Sequence, residues 1–134
     1  MTLALAEMKD FGTRYARQVV KNAQAIAKAL ADFGFPVVGA KLGFTRSHQV
    51  LLDFGSYKKG RVVAKRLEEA NIIADCGMRL GACELTRRGM KQKEMFKVAE
   101  FINRVLKDRE RPQGIKKEVG KFMSEFQEVK FCFK

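Results

Sequence analysis

The sequence predicts an α+β fold in two layers, a small and mostly antiparallel sheet covered by helices, together with one long N-terminal helix. Two observations support this prediction. Apolar residues recur every three or four positions over 3–33 and over two segments near the C-terminus, and four short β-prone runs lie between them. With 134 residues, of which 46% are hydrophobic and 31% charged, the chain has the size and composition of a single domain spanning 1–134.

The first element is predicted as a helix over 3–33, within a connecting segment 1–34 that Gly34 closes. Its apolar face is formed by Leu5, Met8, Phe11, Tyr15, Val19, Ala23, Ile26, Leu30 and Phe33. A helix of ~30 residues is ~45 Å long, whereas a globule of this chain length is only ~36 Å across. We therefore expect the helix to project, so that Leu3, Leu5 and Met8 lack a partner within the chain.

The body over 35–134 is predicted to alternate strands and helices. The predicted strands are 35–40, 48–54, 71–76 and 78–83, and the tail 129–133 either adds an edge strand or docks on the body. Helices are predicted over 57–70, over 91–110 and after residue 114. Their inward residues are Val62, Val63 and Leu67 in the first, Met95, Val98, Ala99, Ile102, Val105 and Leu106 in the second, and Ile115, Val119, Phe122 and Phe126 in the third.

The net charge of +12 suggests a polyanionic partner. Of the 27 basic residues, however, 12 lie in 1–70 and 15 in 71–134, so that no segment concentrates them. This even spread favours a solvated surface. A basic nucleic-acid-binding module is kept as an alternative function.

Signals for membrane insertion, export, metals and disulfides are missing from the sequence. No apolar run reaches the ~18 residues of a membrane-spanning helix, and acidic residues occur within the first ten positions, unlike in a signal peptide. We expect a cytoplasmic protein with no membrane partner. Three scattered cysteines and one histidine lack the spacing of a zinc site or a disulfide framework, so we expect no metal.

The sequence carries no nucleophile elbow, Walker loop or paired-carboxylate motif, so we expect no catalytic residue in this chain. The sixteen lysines fall mostly on polar helix faces, which do not lower the pKa of an amine as a Schiff-base lysine requires. The one histidine, His48, begins a predicted strand, where a structural hydrogen-bonding role is favoured. Arg87 and Arg88 precede a predicted helix and are assigned to a loop or its cap region.

Arg79 is the unusual residue, because it interrupts a short apolar run. On a strand, alternation places Met78, Leu80 and Ala82 on one face and Arg79 and Gly81 on the other, and Gly81 leaves open space beside the arginine. A guanidinium there could bind a carboxylate through two parallel hydrogen bonds, which a lysine could not reproduce. The alternative is an arginine on the exposed face of a one-sided sheet.

Several long stretches resemble one known family. GMRLGACELTRRGMKQKEM (77–95) resembles the G-[ILMV]-R-[IL]-G-x-x-x-[LMV]-T-x-x-G-[MF] segment of serine hydroxymethyltransferase. FGTRYARQVVKNAQAIAKALADFGFPVVG (11–39) is similar to the helix between that enzyme's cofactor domain and its small C-terminal domain, and FTRSHQVLLDF and the tail over 102–133 are similar to archaeal members in particular. The resemblance covers nearly the whole chain in the right order. It implies the small-domain fold of the fold-type I pyridoxal-phosphate enzymes.

The resemblance also implies that Arg79 matches the arginine that binds the carboxylate of serine or glycine, with His48 and Gly81 as candidate supporting residues. Two family features are missing from the sequence. One is the cofactor lysine in a Thr-His-Lys-Thr stretch of a large N-terminal domain, and the other is a folate-side loop, in whose place Cys76 is followed directly by Gly77. Pyridoxal phosphate is therefore implied only for the complete family enzyme, and none is expected on this chain alone.

The resulting interpretation is a stand-alone small domain of serine hydroxymethyltransferase type that is catalytically incomplete. Besides the nucleic-acid-binding module, a second alternative is a small subunit that completes such an enzyme in trans. The surfaces that a complete enzyme would cover need a partner here, because large apolar patches are unusual on monomers. We predict a homo-dimer through the start of the first helix, or a large-domain partner chain.

Overall fold

The computed structural model describes residues 2–134, which form five α-helices, two β-strands and one 3₁₀ turn. In chain order these are α1 (Leu3–Asp32), the 3₁₀ turn (Ala40–Leu42), β1 (Gln49–Leu51), α2 (Tyr57–Glu68), β2 (Arg79–Gly81), α3 (Cys83–Arg87), α4 (Gln92–Leu106) and α5 (Pro112–Ser124). One buried cluster joins α1, both strands, α2, α4 and α5. This helix-rich arrangement with a small antiparallel sheet is consistent with the predicted α+β class. None of the helices in the described residues is both long and apolar enough to span a membrane.

The long N-terminal helix is confirmed as α1, and its two ends differ in burial. From Val19 onward its apolar side is buried, mainly against α4. The first turns project as expected, with Leu3 68%, Leu5 58% and Met8 52% exposed. The helix ends at Asp32, and Gly34 just beyond it has a φ of +76° that reverses the chain, so that its N–H can donate to an α1 carbonyl.

The C-terminal tail docks on the projecting half of α1 and forms no strand. The ring of Phe131 lies 5.4 Å from that of Tyr15, and the ring of Phe133 lies 5.4 Å from that of Phe11. The Glu7 carboxylate, on the same half of α1, accepts the backbone N–H of Phe133 at 3.3 Å. The tail therefore covers part of the first half of α1.

The sheet is smaller than predicted. β1 and β2 pair in antiparallel register, with Val50 opposite Leu80 and Leu51 opposite Arg79. Val50 and Leu80 are buried, whereas Leu51 and Arg79 lie on the exposed face. The sheet thus presents one face to the core and leaves the other open.

Two of the four predicted strands are wrong. In segment 35–40 only Val37 forms a bridge, to the residue after β1, because Gly39 at φ +79° turns the chain into the 3₁₀ turn. Segment 71–76 runs as irregular chain after Asn71, whose positive φ of +60° closes the turn that follows α2. Both segments are apolar, but neither runs straight for long enough to pair along its length.

The predicted inward face of α2 is partly wrong. Leu67 is buried and Val63 is half-buried, but Val62 is 67% exposed. Gly60 faces inward instead, since the carbonyl oxygen of Cys76 lies where a Cβ on this residue would sit. The close approach of the chain at residue 76 therefore sets how α2 is rotated.

α4 ends earlier and α5 begins earlier than predicted. α4 stops at Leu106 rather than at residue 110, and α5 starts at Pro112, whose fixed φ suits the first turn of a helix. Phe126 lies beyond the end of α5 and packs on the ring of Phe122. The predicted core residues of α4 that are fully buried are Met95, Ala99, Ile102 and Val105.

Candidate functional site

Arg79 lies on the open face of the two-stranded sheet. The predicted alternation is confirmed, because Met78, Leu80 and Ala82 are buried at 1%, 7% and 2% exposure, whereas Arg79 and Gly81 are exposed. The buried neighbours anchor the strand in the core. The arginine backbone is therefore fixed while its side chain stays accessible.

One carboxylate of the chain contacts this arginine. Nε of Arg79 donates to Oδ2 of Asp75 at 2.6 Å, and the backbone N–H of Arg79 donates to Oδ1 of Asp75 at 3.0 Å. The two side chains are 56% and 39% exposed. Within residues 2–134, neither Nη1 nor Nη2 of Arg79 has a hydrogen-bond partner. The guanidinium is thus accessible to solvent and has hydrogen-bond donors that are not used within residues 2–134.

The Asp75 carboxyl is held in its charged form. The backbone N–H of Arg79 is the main cause of a lowered pKa at Asp75, and the guanidinium of the same residue adds to the effect. A carboxylate that accepts several N–H groups is favoured over its neutral form. Asp75 therefore carries a full negative charge at neutral pH.

A tight turn brings Asp75 to Arg79. The backbone N–H of Met78 donates to the Asp75 carbonyl at 2.9 Å. Met78 adopts a φ of +55°, a left-handed conformation that few residues other than glycine take. Its side chain is almost fully buried, so the core holds this residue in an unfavourable backbone conformation.

Sequence analysis missed Asp75, although a signal was present. An aspartate followed by a short segment with glycine favours a turn, since an aspartate side chain readily accepts nearby backbone N–H groups. Asp75 precedes Arg79 by four residues, with Gly77 between them. The treatment of 71–76 as a strand hid this turn.

A recess of about 240 Å³ lies beside Arg79 on the same side of the protein. Its walls combine apolar and hydroxyl or amide side chains, and its lining includes Val38, Phe44, Thr45, Ser47, Gln49, Leu51 and Arg79. The hydroxyls of Thr45 and Ser47 lie 3.2 Å apart and hold the loop before β1. An elongated small molecule with one carboxylate could place that group at Arg79 and its remainder in this recess.

The two candidate supporting residues occupy different positions. Gly81 does leave open space, because a Cβ built on it would meet no atom within 4 Å in the described part of the chain. His48 precedes β1 and is exposed, and its carbonyl accepts the backbone N–H of Ala82 at 3.0 Å. Whether either side chain supports a ligand at Arg79 stays a prediction.

The assignment of Arg87 and Arg88 to a loop is wrong for Arg87, which ends the short helix α3, while Arg88 caps it. Arg87 donates from Nη2 to Oε2 of Glu7 at 3.0 Å, and Arg88 donates from Nε to Oε1 of Glu84 at 2.8 Å. The segment continues as a helical turn because the Thr86 N–H reaches back to a carbonyl four residues earlier. Both arginines thus form ion pairs within the chain.

A buried polar contact that sequence analysis also missed gives a structural role to part of segment 77–95. Nδ2 of Asn22 donates to Oγ1 of Thr86 at 2.8 Å and to the Met90 carbonyl at 2.9 Å, and both polar side chains are fully buried. Gly89 forms the turn between them with a φ of +85°. Thr86 and Gly89, the third glycine of this segment, therefore fasten it to α1, and the only signal in the sequence was an asparagine on a mostly apolar side of the helix.

The family model for serine hydroxymethyltransferase matches residues 1–102. The chain belongs to the serine hydroxymethyltransferase family. The serine hydroxymethyltransferase of Methanocella arvoryzae is 45% identical over 148 residues, which cover 99% of this chain and 35% of that protein. The serine hydroxymethyltransferase of Sulfolobus acidocaldarius is 46% identical over 142 residues, covering 95% of this chain and 33% of that protein.

A solved structure agrees with these relatives. The L-threonine transaldolase of Pseudomonas fluorescens, solved in its internal aldimine state, is similar with a TM-score of 0.93 and 31% identity, over 98% of this chain and 33% of that chain. The chain thus spans about one third of the length of the relatives it matches. None of these matches supports the nucleic-acid-binding alternative.

The match to the Methanocella serine hydroxymethyltransferase is longer than this chain. It extends over 148 positions, whereas 99% of 134 residues is about 133, so the relative has about 15 residues without a counterpart here. The folate-side loop predicted to be missing between Cys76 and Gly77 would account for such a difference. The tight turn from Asp75 to Met78 closes the chain at that junction.

Proposed function

We propose that this chain forms the small-domain part of a site for glycine and serine one-carbon transfer, to which Arg79 contributes the binding group for the amino-acid carboxylate. The observation that carries the proposal is an exposed guanidinium on an anchored strand, at the position that matches the family segment, with Nη1 and Nη2 available. Such a guanidinium can bind a carboxylate through two parallel hydrogen bonds. The recess beside it has room for the rest of a small amino acid.

The residues present do not fit pyridoxal phosphate by themselves. That cofactor needs a lysine whose pKa is lowered by its surroundings. The recess beside Arg79 is lined by no lysine and no acidic residue of the described chain, and the sequence contains no Thr-His-Lys-Thr stretch. These 134 residues are therefore catalytically incomplete, and the cofactor and its lysine come from polypeptide that they do not include.

The connection before β2 also distinguishes this chain from its relatives. The Asp75–Met78 turn replaces a longer loop, and the shortfall of about 15 residues relative to the Methanocella enzyme supports this. The folate side of the site is thereby reduced. Amino-acid binding is the part of the family activity that the chain retains the residues for.

The experiment is a chimera in which this chain replaces the matched third of the Methanocella enzyme. Serine and glycine binding to the chimera is measured by calorimetry, with and without Arg79→Lys. We expect the substitution to weaken binding at least tenfold, because lysine keeps the charge but cannot form the paired contact. Arg109→Lys, an exposed arginine outside the recess, is the matched control and should change nothing. Equal affinity with and without Arg79→Lys would refute the proposal.

The same experiment includes a test of the chain alone. When the isolated protein is mixed with pyridoxal phosphate and reduced with borohydride, we expect no single lysine to be labelled selectively. A stoichiometric adduct at one lysine would mean that the chain holds the cofactor itself.

The start of α1 carries the partner side of the proposal. Leu3, Leu5 and Met8 are more than half exposed, and a partner that buried them would remove apolar surface from contact with water, which is favourable. The proposed partner is a second copy, forming a homo-dimer, or a large-domain chain. Sedimentation of the isolated protein separates these, since only the first gives a dimer at micromolar concentration, and Leu5→Asp should then shift it to monomer. A monomer that also fails to bind a large domain would contradict both.

A further inference from the structure

The Asp75 carboxylate already binds the Arg79 guanidinium, the group to which the proposed function assigns the substrate carboxylate. We infer that Asp75 is an internal carboxylate that competes with an incoming carboxylate for Arg79 and so lowers the affinity of the site. This inference rests on the proposed role of Arg79. It adds a residue that sets affinity, located in the Asp75–Met78 turn just before β2.

On one edge of the guanidinium, Asp75 and a ligand carboxylate cannot bind at the same time. A carboxylate can bind an arginine side-on, through Nε and one Nη, or end-on, through both Nη atoms. Oδ2 of Asp75 already accepts from Nε at 2.6 Å, so the side-on edge is taken. Only the end-on edge is open, and an anion approaching it meets a guanidinium whose charge Asp75 already balances.

The competing group is held in place, whereas the arginine is free to move. Oδ1 of Asp75 accepts the backbone N–H of Arg79 at 3.0 Å, which fixes the aspartate in the turn. The Arg79 side chain is 56% exposed and has no other hydrogen-bond partner within residues 2–134. A ligand that binds side-on therefore has to break one exposed contact, after which the guanidinium turns away and Asp75 stays bound to the backbone N–H.

The size of the effect follows from the exposure of the pair. Exposed ion pairs are weak. A ligand that needs the unpaired state binds with an apparent Kd equal to its intrinsic Kd divided by the fraction of time for which Arg79 is unpaired. We expect removal of the Asp75 charge to lower the Kd for a carboxylate by about two- to fivefold.

The test compares Asp75→Asn with Asp53→Asn in the full 134-residue protein. Asparagine at 75 keeps an oxygen for the Arg79 N–H but loses the charge. Asp53 is the matched control, an exposed aspartate whose Oδ1 likewise accepts a backbone N–H, that of Gly55, at 2.7 Å. The probes are acetate and glycine. Their binding is monitored by NMR through the side-chain Nε–H resonance of Arg79 in ¹⁵N-arginine-labelled protein, and Arg79→Lys identifies that resonance.

We expect Asp75→Asn to bind both probes about two- to fivefold more tightly than the unmodified protein, and Asp53→Asn to match the unmodified protein. Equal or weaker binding by Asp75→Asn would overturn the inference and leave Arg79 as a carboxylate site, with Asp75 as its positioning residue. If the Arg79 resonance responds to neither probe in any of the proteins, the inference and the carboxylate role of Arg79 both fail. The two failures are thus distinguishable.

Discussion

Arg79 and Arg104 use their hydrogen-bond donors in opposite ways. Arg104, in the last turn of α4, pairs through Nε and Nη2 with both oxygens of Glu110 and through Nη1 and Nη2 with both oxygens of Glu118, at 2.7 to 2.8 Å. Its side chain is 19% exposed, against 56% for Arg79. Arg79 uses one guanidinium nitrogen, and Arg104 uses all three.

The difference separates a structural arginine from one available to a ligand. Arg104 joins α4, the connection after it and α5, because Glu110 lies in that connection and Glu118 on α5. The hydrogen bonds that Arg104 donates to Glu118 and Glu110 raise the pKa of Arg104, and the same bonds lower the pKa of each glutamate. Arg79 ties no two elements together in this way, and its unused nitrogens face solvent.

The largest expected effect is that of Arg104→Ala on stability. Single exposed ion pairs contribute little, but a mostly buried arginine with two paired carboxylates is an exception, so we expect a loss of about 1–2 kcal/mol. Urea unfolding followed by circular dichroism measures it. Arg109→Ala, in the connection between α4 and α5, is the control and should stay close to the unmodified protein. A loss no larger than that of the control would remove the contrast between the two arginines.

The second prediction concerns acid. Because Arg104 lowers the pKa of Glu110 and Glu118 in the folded state, their contribution to stability is fully present above the ordinary value of 4.5 and is lost as the pH falls through the lowered values. The stability gap between the unmodified protein and Arg104→Ala should therefore be constant from pH 7 to about 5 and should narrow below that. Urea midpoints across this range measure it, and a gap that widens in acid would contradict the assignment.

The fold could be predicted where a pattern is long and regular. The periodicity of α1 and α4 extends over several turns, so both helices and most of their buried residues follow from the sequence. Short apolar runs carry less information. Segment 71–76 has strand-like composition, but its path is set by Asn71 and by the approach of Cys76 to Gly60, which only the folded chain shows.

The same limit applies to the site. Alternation alone placed Arg79 on the open face, because its two neighbours are apolar and its strand is anchored by them. Asp75 could not be found by alternation, since its contact depends on a turn. The Asn22–Thr86 contact joins residues 64 positions apart, and polar pairs of that separation leave no pattern in the sequence.

The smallest expected effect is that of Arg79→Ala on stability, and it is the most decisive for the comparison. An exposed side chain with one ion pair should contribute no more than about 0.5 kcal/mol, so its unfolding curve should nearly overlay that of the unmodified protein. The loss of stability in acid that comes from Asp75 should also be unchanged. The backbone N–H of Arg79 is the main cause of the lowered Asp75 pKa, and the substitution leaves it in place. Carboxylate binding, in contrast, should be lost. A stability loss equal to that of Arg104→Ala would mean that Arg79 is itself a structural arginine, since a residue kept for a ligand can be removed from the empty protein at little cost.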